Sequence, residues 1–232
     1  MDPIEKAVDN GWNALSEHAS KQVLGAWDIP VTRETLVQNA GEAVAAAEKI
    51  GYPVALKPCS RGLMHKSELG CIELGLSGPE AVEQAYGRIS DQIRKKSDAP
   101  LEGILVQEMI AGGRELVAGL SRDPQFGACV MLGFGGIMTE VIADTVFRVA
   151  PFDGVEAMDM IRDLKYRAML DTFRGQAKAD ADTLCKILIN LGRLGLERPE
   201  IGEIDINPLI ISPDGAVTAV DALIILEGEQ RC

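Results

Sequence analysis

The chain has 232 residues, a length for one large domain or two lobes, and its 47% hydrophobic and 25% charged residues exclude disorder, collagen and low-complexity classes. A net charge of −12 excludes duplex DNA and anionic membrane as the main partner. It leaves an anionic small molecule open, because distant carboxylates are screened beyond about 8 Å and local Lys or N–H groups then decide. Aromatics at 4% offer no stacking platform for single-stranded nucleic acid.

Asp2-Pro3-Ile4-Glu5 reads as a helix start, with Asp2 as N-cap and Pro3 in the first turn. The same acidic start lacks the basic and apolar regions of a signal peptide. Helix is predicted to about Trp27, broken near Ser16 and ended by Asp28-Ile29-Pro30. Asn39 caps a second helix running to Ile50. Gly51-Tyr52-Pro53 stops it before a strand, Val54–Pro58. A loop from Cys59 to Ser67 and a strand at Cys71–Leu74 follow, then a helix from Ser77 to about Lys96. Ser97-Asp98-Ala99-Pro100 is the predicted boundary, giving an N-terminal helical segment 1–27, a small lobe 28–100 and a large lobe 101–232.

Beyond it, strands are predicted at Ile104–Ile110, Glu115–Leu120 and Ala128–Leu132, then a Gly-rich turn at Gly133-Phe134-Gly135-Gly136 and a strand Val141–Val149. Two helical patterns, Val155–Phe173 and Asp182–Leu194, precede a hairpin, Gly202–Ile211 and Val217–Leu226, turned at Ser212-Pro213-Asp214-Gly215. Elements alternate without a strict βαβ rhythm, so the predicted class is α+β. The five scattered cysteines form no CxxC pair and no apolar run approaches the ~20 residues of a membrane span, so the expectation is a reduced, soluble, cytoplasmic protein.

Alternation in Glu203-Ile204-Asp205-Ile206-Asn207 puts Glu203, Asp205 and Asn207 on one face. If Pro213-Asp214-Gly215 is a three-residue loop, Ser212 pairs with Ala216 and Asn207 lies opposite Asp221. A one-residue slip would turn Asp221 away. Asp205, Asn207 and Asp221 are then oxygen donors for a hard cation such as Mg²⁺. The competing reading is a solvated edge face, but the Ile runs on both arms favour burial, where clustered acids need neutralising.

Lys57 lies in an apolar strand and must find an anion or snorkel from the strand end; a phosphate and a simple surface contact are both open. The glycines at 112–113 and 133–136 fit no nucleotide fingerprint and suit either a ligand approach or ordinary turns. Glu108-Met109-Ile110 has the look of a hinge strand against which adenine could lie, with Glu115 either at a ribose or on the surface. His65, in a Gly-punctuated loop, is either structural or a phosphoryl acceptor.

Taken in this order and spacing, these pieces resemble the ATP-grasp (beta) subunit of ADP-forming acetate–CoA ligases, a family of nucleoside-diphosphate-forming acyl-CoA synthetases. The resemblance runs from about Ser16 to Leu226. It is carried by Tyr52–Lys57, His65-Lys66-Ser67, Val106–Met109, Gly113–Leu116, Gly133–Gly136 with Glu140, and Glu203–Pro208 with Asp221. It implies an ATP-grasp fold of two α/β lobes holding ATP or ADP between them. Lys57 would meet the phosphates, Glu108, Met109 and Glu115 the adenosine, and Asp205, Asn207 and Asp221 the Mg²⁺.

The implied reaction interconverts acyl-CoA, ADP and phosphate with acid, CoA and ATP through phosphohistidine, with an alpha subunit in an α2β2 assembly. His65 matches a histidine that is phosphorylated in some members. The family usually reads Asp-x-Gly-Gly after His-Lys-Ser, where this chain has Glu68-Leu69-Gly70-Cys71. Two other readings stand beside this one: a stand-alone ATP-grasp carboxylate–amine ligase, and a non-catalytic nucleotide-binding module of an acyltransferase assembly.

Overall fold

A computed structural model describes residues 1–61, 71–96, 101–136, 144–172 and 175–227. Two helices open the chain, α1 (Pro3–Asp9) and α2 (Glu17–Ala26), with the break near Ser16 that the sequence predicts. Asp2 caps α1 by accepting the Ile4 N–H at 2.8 Å. The residues divide into two compact units, one of 16–18 and 32–109, the other of 1–15, 19–31 and 110–232.

The unit built on 32–109 is a four-stranded antiparallel sheet, β1 (Glu34–Val37), β2 (Val54–Cys59), β3 (Glu73–Leu76) and β4 (Gly103–Glu108), in the order β1-β4-β2-β3. Its helices are α3 (Ala40–Ile50) and α4 (Pro79–Lys96). Asn39 caps α3 by accepting the Glu42 N–H at 2.9 Å, while the Glu42 carboxylate takes the Gln38 N–H at 2.8 Å. Alternate residues of the central strands, Val54, Leu56, Ile104 and Val106, pack with Ala43, Ala47, Val82 and Ile89 of the helices. Ala55, Lys57, Leu105 and Gln107 therefore point to the opposite face. The division observed falls after Met109, because β4 pairs with β1 and β2, whereas composition places it at 97–100, outside the described residues.

The other unit holds β5 (Arg114–Asp123), β6 (Gly127–Phe134), β7 (Thr145–Val149), β8 (Ile201–Ile211), β9 (Val217–Ala219) and β10 (Ala222–Leu226). The sheet runs β10-β8-β5-β6-β7, with β9 also on β8, and these pairs are all antiparallel, in keeping with an α+β fold. Two helices, α5 (Gly154–Asp163) and α6 (Ala181–Glu197), join Leu120, Val130, Leu132, Ile204, Ile206 and Ile224 in one core. The predicted helix over 155–173 stops at Asp163 and resumes only as a 3-10 turn, Arg167–Leu170. Asp144 is the physical reason: its carboxylate accepts the N–H groups of Lys165 and Tyr166 at 3.1 and 3.0 Å, drawing them out of a helical ladder. Among the described residues no helix is long and apolar enough to cross a membrane.

Candidate functional site

In the unit of 32–109, Lys57 stands on β2 opposite Leu105, 6% exposed. Its ammonium finds an anion inside the chain, donating to Glu17 Oε1 at 3.0 Å; the Glu17 side chain is fully buried. His18, beside it, contacts Glu34 through Nδ1 at 2.7 Å. Glu108, at the end of β4, has its carboxylate engaged by the Arg33 N–H at 2.6 Å and Nε at 2.7 Å, and its own N–H donates to the Arg33 carbonyl at 3.0 Å. Met109 follows and is partly exposed, with Sδ accepting the Gly75 N–H at 2.9 Å. Glu102 takes the Ser16 hydroxyl at 2.7 Å and Arg61 Nε at 2.9 Å, anchoring the chain just before residue 62. His65 lies outside the described residues.

The C-terminal hairpin has the register expected of its three-residue turn. Ser212 N–H donates to the Ala216 carbonyl at 2.9 Å, Leu209 pairs with Ala219, and Asn207 N–H donates to the Asp221 carbonyl at 3.2 Å. Ile204 and Ile206 are buried, but Glu203 and Asn207 are exposed and Asp205 half-buried, so the acids share the face away from the core and are not the buried cluster that the flanking Ile runs predict. Asp221, directly across from Asn207, belongs to that face. Burial pushes the Asp205 carboxyl above its ordinary value, and the neighbouring Glu203 and Asp221 carboxylates push the same way. Negative charge is thus costly here, and a hard cation would relieve it. The donors, two carboxylates and an amide, fit Mg²⁺ with its remaining positions left to phosphate and water. Among the described residues no three His, Cys, Asp or Glu side chains form a metal centre by themselves.

Two buried cations brace this unit, and both went unrecognised in the sequence. Lys21, 1% exposed on α2, donates to the Val220 carbonyl at 3.1 Å, one residue before Asp221. Arg114 on β5 sends its guanidinium to the carbonyls of Asp171 at 3.3 Å and Ala177 at 2.7 Å, with longer contacts to Met169 and Ser212. Glu115, next to it, is half-buried and paired with Ile210 of β8. The Gly-rich turn folds against it: Gly135 N–H donates to the Glu115 carbonyl at 2.8 Å. Gly136 has φ +72°, a backbone conformation that favours glycine, and it lies against the Glu115 side chain, where a Cβ would meet Oε2 at 2.9 Å.

Residues 6–226 match the family model described as an ATP-grasp domain. The chain is 40% identical over 224 residues to the beta subunit of ADP-forming acetate–CoA ligase I from Pyrococcus furiosus, covering 96% of each chain. It is 38% identical over 228 residues to acetate–CoA ligase [ADP-forming] I of Archaeoglobus fulgidus, spanning 98% of this chain but 33% of that longer protein. Among solved structures, the dinucleotide-forming acetyl-coenzyme A synthetase 1 of Ca. Korarchaeum cryptofilum, with coenzyme A and Ca-AMPCP, superposes with a TM-score of 0.92 at 42% identity, covering 97% of this chain and 99% of that one. Another structure of that enzyme holds coenzyme A and Mg-AMPPCP, its phosphohistidine segment pointing towards the nucleotide-binding site (TM-score 0.85, 41% identity, 97% and 99% covered). The chain therefore belongs to the ATP-grasp family, within the group of ADP-forming acetate–CoA ligase beta subunits.

Proposed function

We propose that this chain is the nucleotide-handling beta subunit of an ADP-forming acyl-CoA synthetase, acting in the cytoplasm with an alpha subunit in an α2β2 assembly. The overall reaction converts acyl-CoA, ADP and phosphate into acid, CoA and ATP, and runs in reverse. In the ATP-forming direction the phosphoryl group leaves a partner histidine as its N–P bond breaks, and a new O–P bond forms on the β-phosphate of ADP. Lys57 is assigned to the phosphates, sharing its ammonium with Glu17; the Glu108 and Met109 backbone to adenine; and Glu115 to the ribose hydroxyls. Asp205, Asn207 and Asp221 would hold Mg²⁺, which supplies charge neutralisation along the polyphosphate. His65 is assigned as a secondary phosphoryl acceptor within the family motif.

The observation that carries this reading is the hairpin register, which sets Asn207 opposite Asp221 and two residues from Asp205. Among the described residues Cys59, Cys71, Cys129 and Cys185 form no disulfide, in keeping with a reducing compartment. The test is ATP formation from acetyl-CoA, ADP and phosphate by the chain mixed with its alpha subunit. Asp221→Asn should lower that rate at least 100-fold and weaken Mg²⁺-dependent nucleotide binding while leaving the unfolding midpoint near native. Undiminished Mg²⁺-dependent affinity in the variant would overturn the assignment. An isolated chain that turns over ATP with an amine acceptor would instead identify a carboxylate–amine ligase.

A further inference from the structure

Two lateral rows of residues cross the face of the larger sheet that carries the acids. One runs Phe147, Met131, Gly119, Asp205, Leu223; the next runs Val149, Cys129, Ser121, Glu203, Ile225. The face is thus divided by chemistry. Its β8 end is acidic, and its β6–β7 end is apolar and uncharged. Phe147 is 57% exposed and Val149 45%, beside the half-buried Met131 and Cys129. Gly119 separates the two halves without a side chain of its own: a Cβ there would lie 2.6 Å from the Ile204 carbonyl oxygen and 3.8 Å from Met131 Cε. With strands about 4.8 Å apart, Met131 is roughly 10 Å and Phe147 roughly 14 Å from Asp205 along the row.

In addition, among the described residues β7 is the last strand of its sheet, paired with β6 alone. An edge strand beside exposed large apolar side chains is a surface built to be covered. The geometry points to this β6–β7 half as the docking surface for the partner subunit, in the region of the partner that bears its phosphorylated histidine. The inference rests on the reading of the chain as half of a synthetase. That reading requires a histidine-bearing segment to come within reach of the nucleotide, as the segment of the Korarchaeum enzyme is described as doing.

The uncharged character of the patch calls for an apolar contact on the partner. A second copy of this chain fits less well, because two molecules each of net charge −12 repel as they approach. A partner chain docked here lies in the same rows as the acids, roughly 10–14 Å from Asp205.

The test uses the chain co-purified with its alpha subunit. Phe147→Glu and Val149→Lys place opposite charges on exposed positions, so a shared effect reports loss of apolar contact rather than charge. Each should weaken alpha-subunit binding at least tenfold, while the thermal midpoint and Mg-nucleotide affinity of the isolated chain stay native. Binding within twofold of native for both variants would overturn the proposal, as would a loss of self-association alone in sedimentation. The docking measurement needs no nucleotide, so absent nucleotide binding counts against the functional reading and leaves this one to be decided by the binding constants.

Discussion

Lys57 holds its ammonium inside an apolar strand, on β2 opposite Leu105. An ammonium inside an apolar strand needs an anion, and the structure supplies Glu17, 40 residues earlier in the chain. Lys57→Met would leave that fully buried carboxylate without its lysine, costing roughly 3–5 kcal/mol. The double variant with Glu17→Gln should recover at least half of this, measured as the urea midpoint at constant slope. A single variant as stable as the native chain would show the pair to be dispensable. Asp205, Asn207 and Asp221 were legible because they lie on neighbouring strands joined by a three-residue turn, so period and turn length alone placed them. Glu17, Glu102 and Arg114 were not, since their partners lie 40, 86 and up to 98 residues away and no local pattern encodes such pairs.

Element boundaries follow local chemistry where a cap or turn decides them. Asp2 and Asn39 begin their helices as their sequence contexts predict, and the hairpin turn sets its own register. They depart from expectation where a distant group intervenes, as Asp144 does in ending α5. Asp180 offers a test of the cap on α6. Its carboxylate accepts the Thr183 hydroxyl at 2.7 Å and the Thr183 N–H at 3.0 Å, and these bonds hold its pKa below the ordinary value. A carboxyl with a lowered folded pKa adds stability above its unfolded value of about 3.9 and loses it as pH falls through the folded one. Asp180→Ala should cost about 1 kcal/mol at neutral pH. Asp180→Asn should keep the cap but flatten the acid limb of stability against pH; an unchanged acid limb would place the titration elsewhere.

At the scale of the whole molecule, the described residues form two hydrophobic cores, one around Leu56, Ile89 and Val106, the other around Leu120, Ile187 and Ile204. Composition alone did not divide them correctly at β4, because a strand's sheet is chosen by pairing and its own sequence is equally apolar in either. Mg-nucleotide at 100 times its dissociation constant should add about 2.7 kcal/mol. That corresponds to a rise of about 5–10 °C in the thermal midpoint for a chain of this size. Hydrogen exchange should slow around Asp205 and Asn207 on β8 when Mg-nucleotide is added; unchanged exchange there would overturn their assignment as Mg²⁺ donors. The hairpin also limits how related sequences can drift. Asn207 to Ser212 and Ala216 to Asp221 are arms of equal length, matched residue for residue, and the tip is held where Gly215 lies against the Lys178 carbonyl. A lineage that lost one residue from either arm would invert the donor at its far end, so deletions there should persist only as compensating pairs, one from each side.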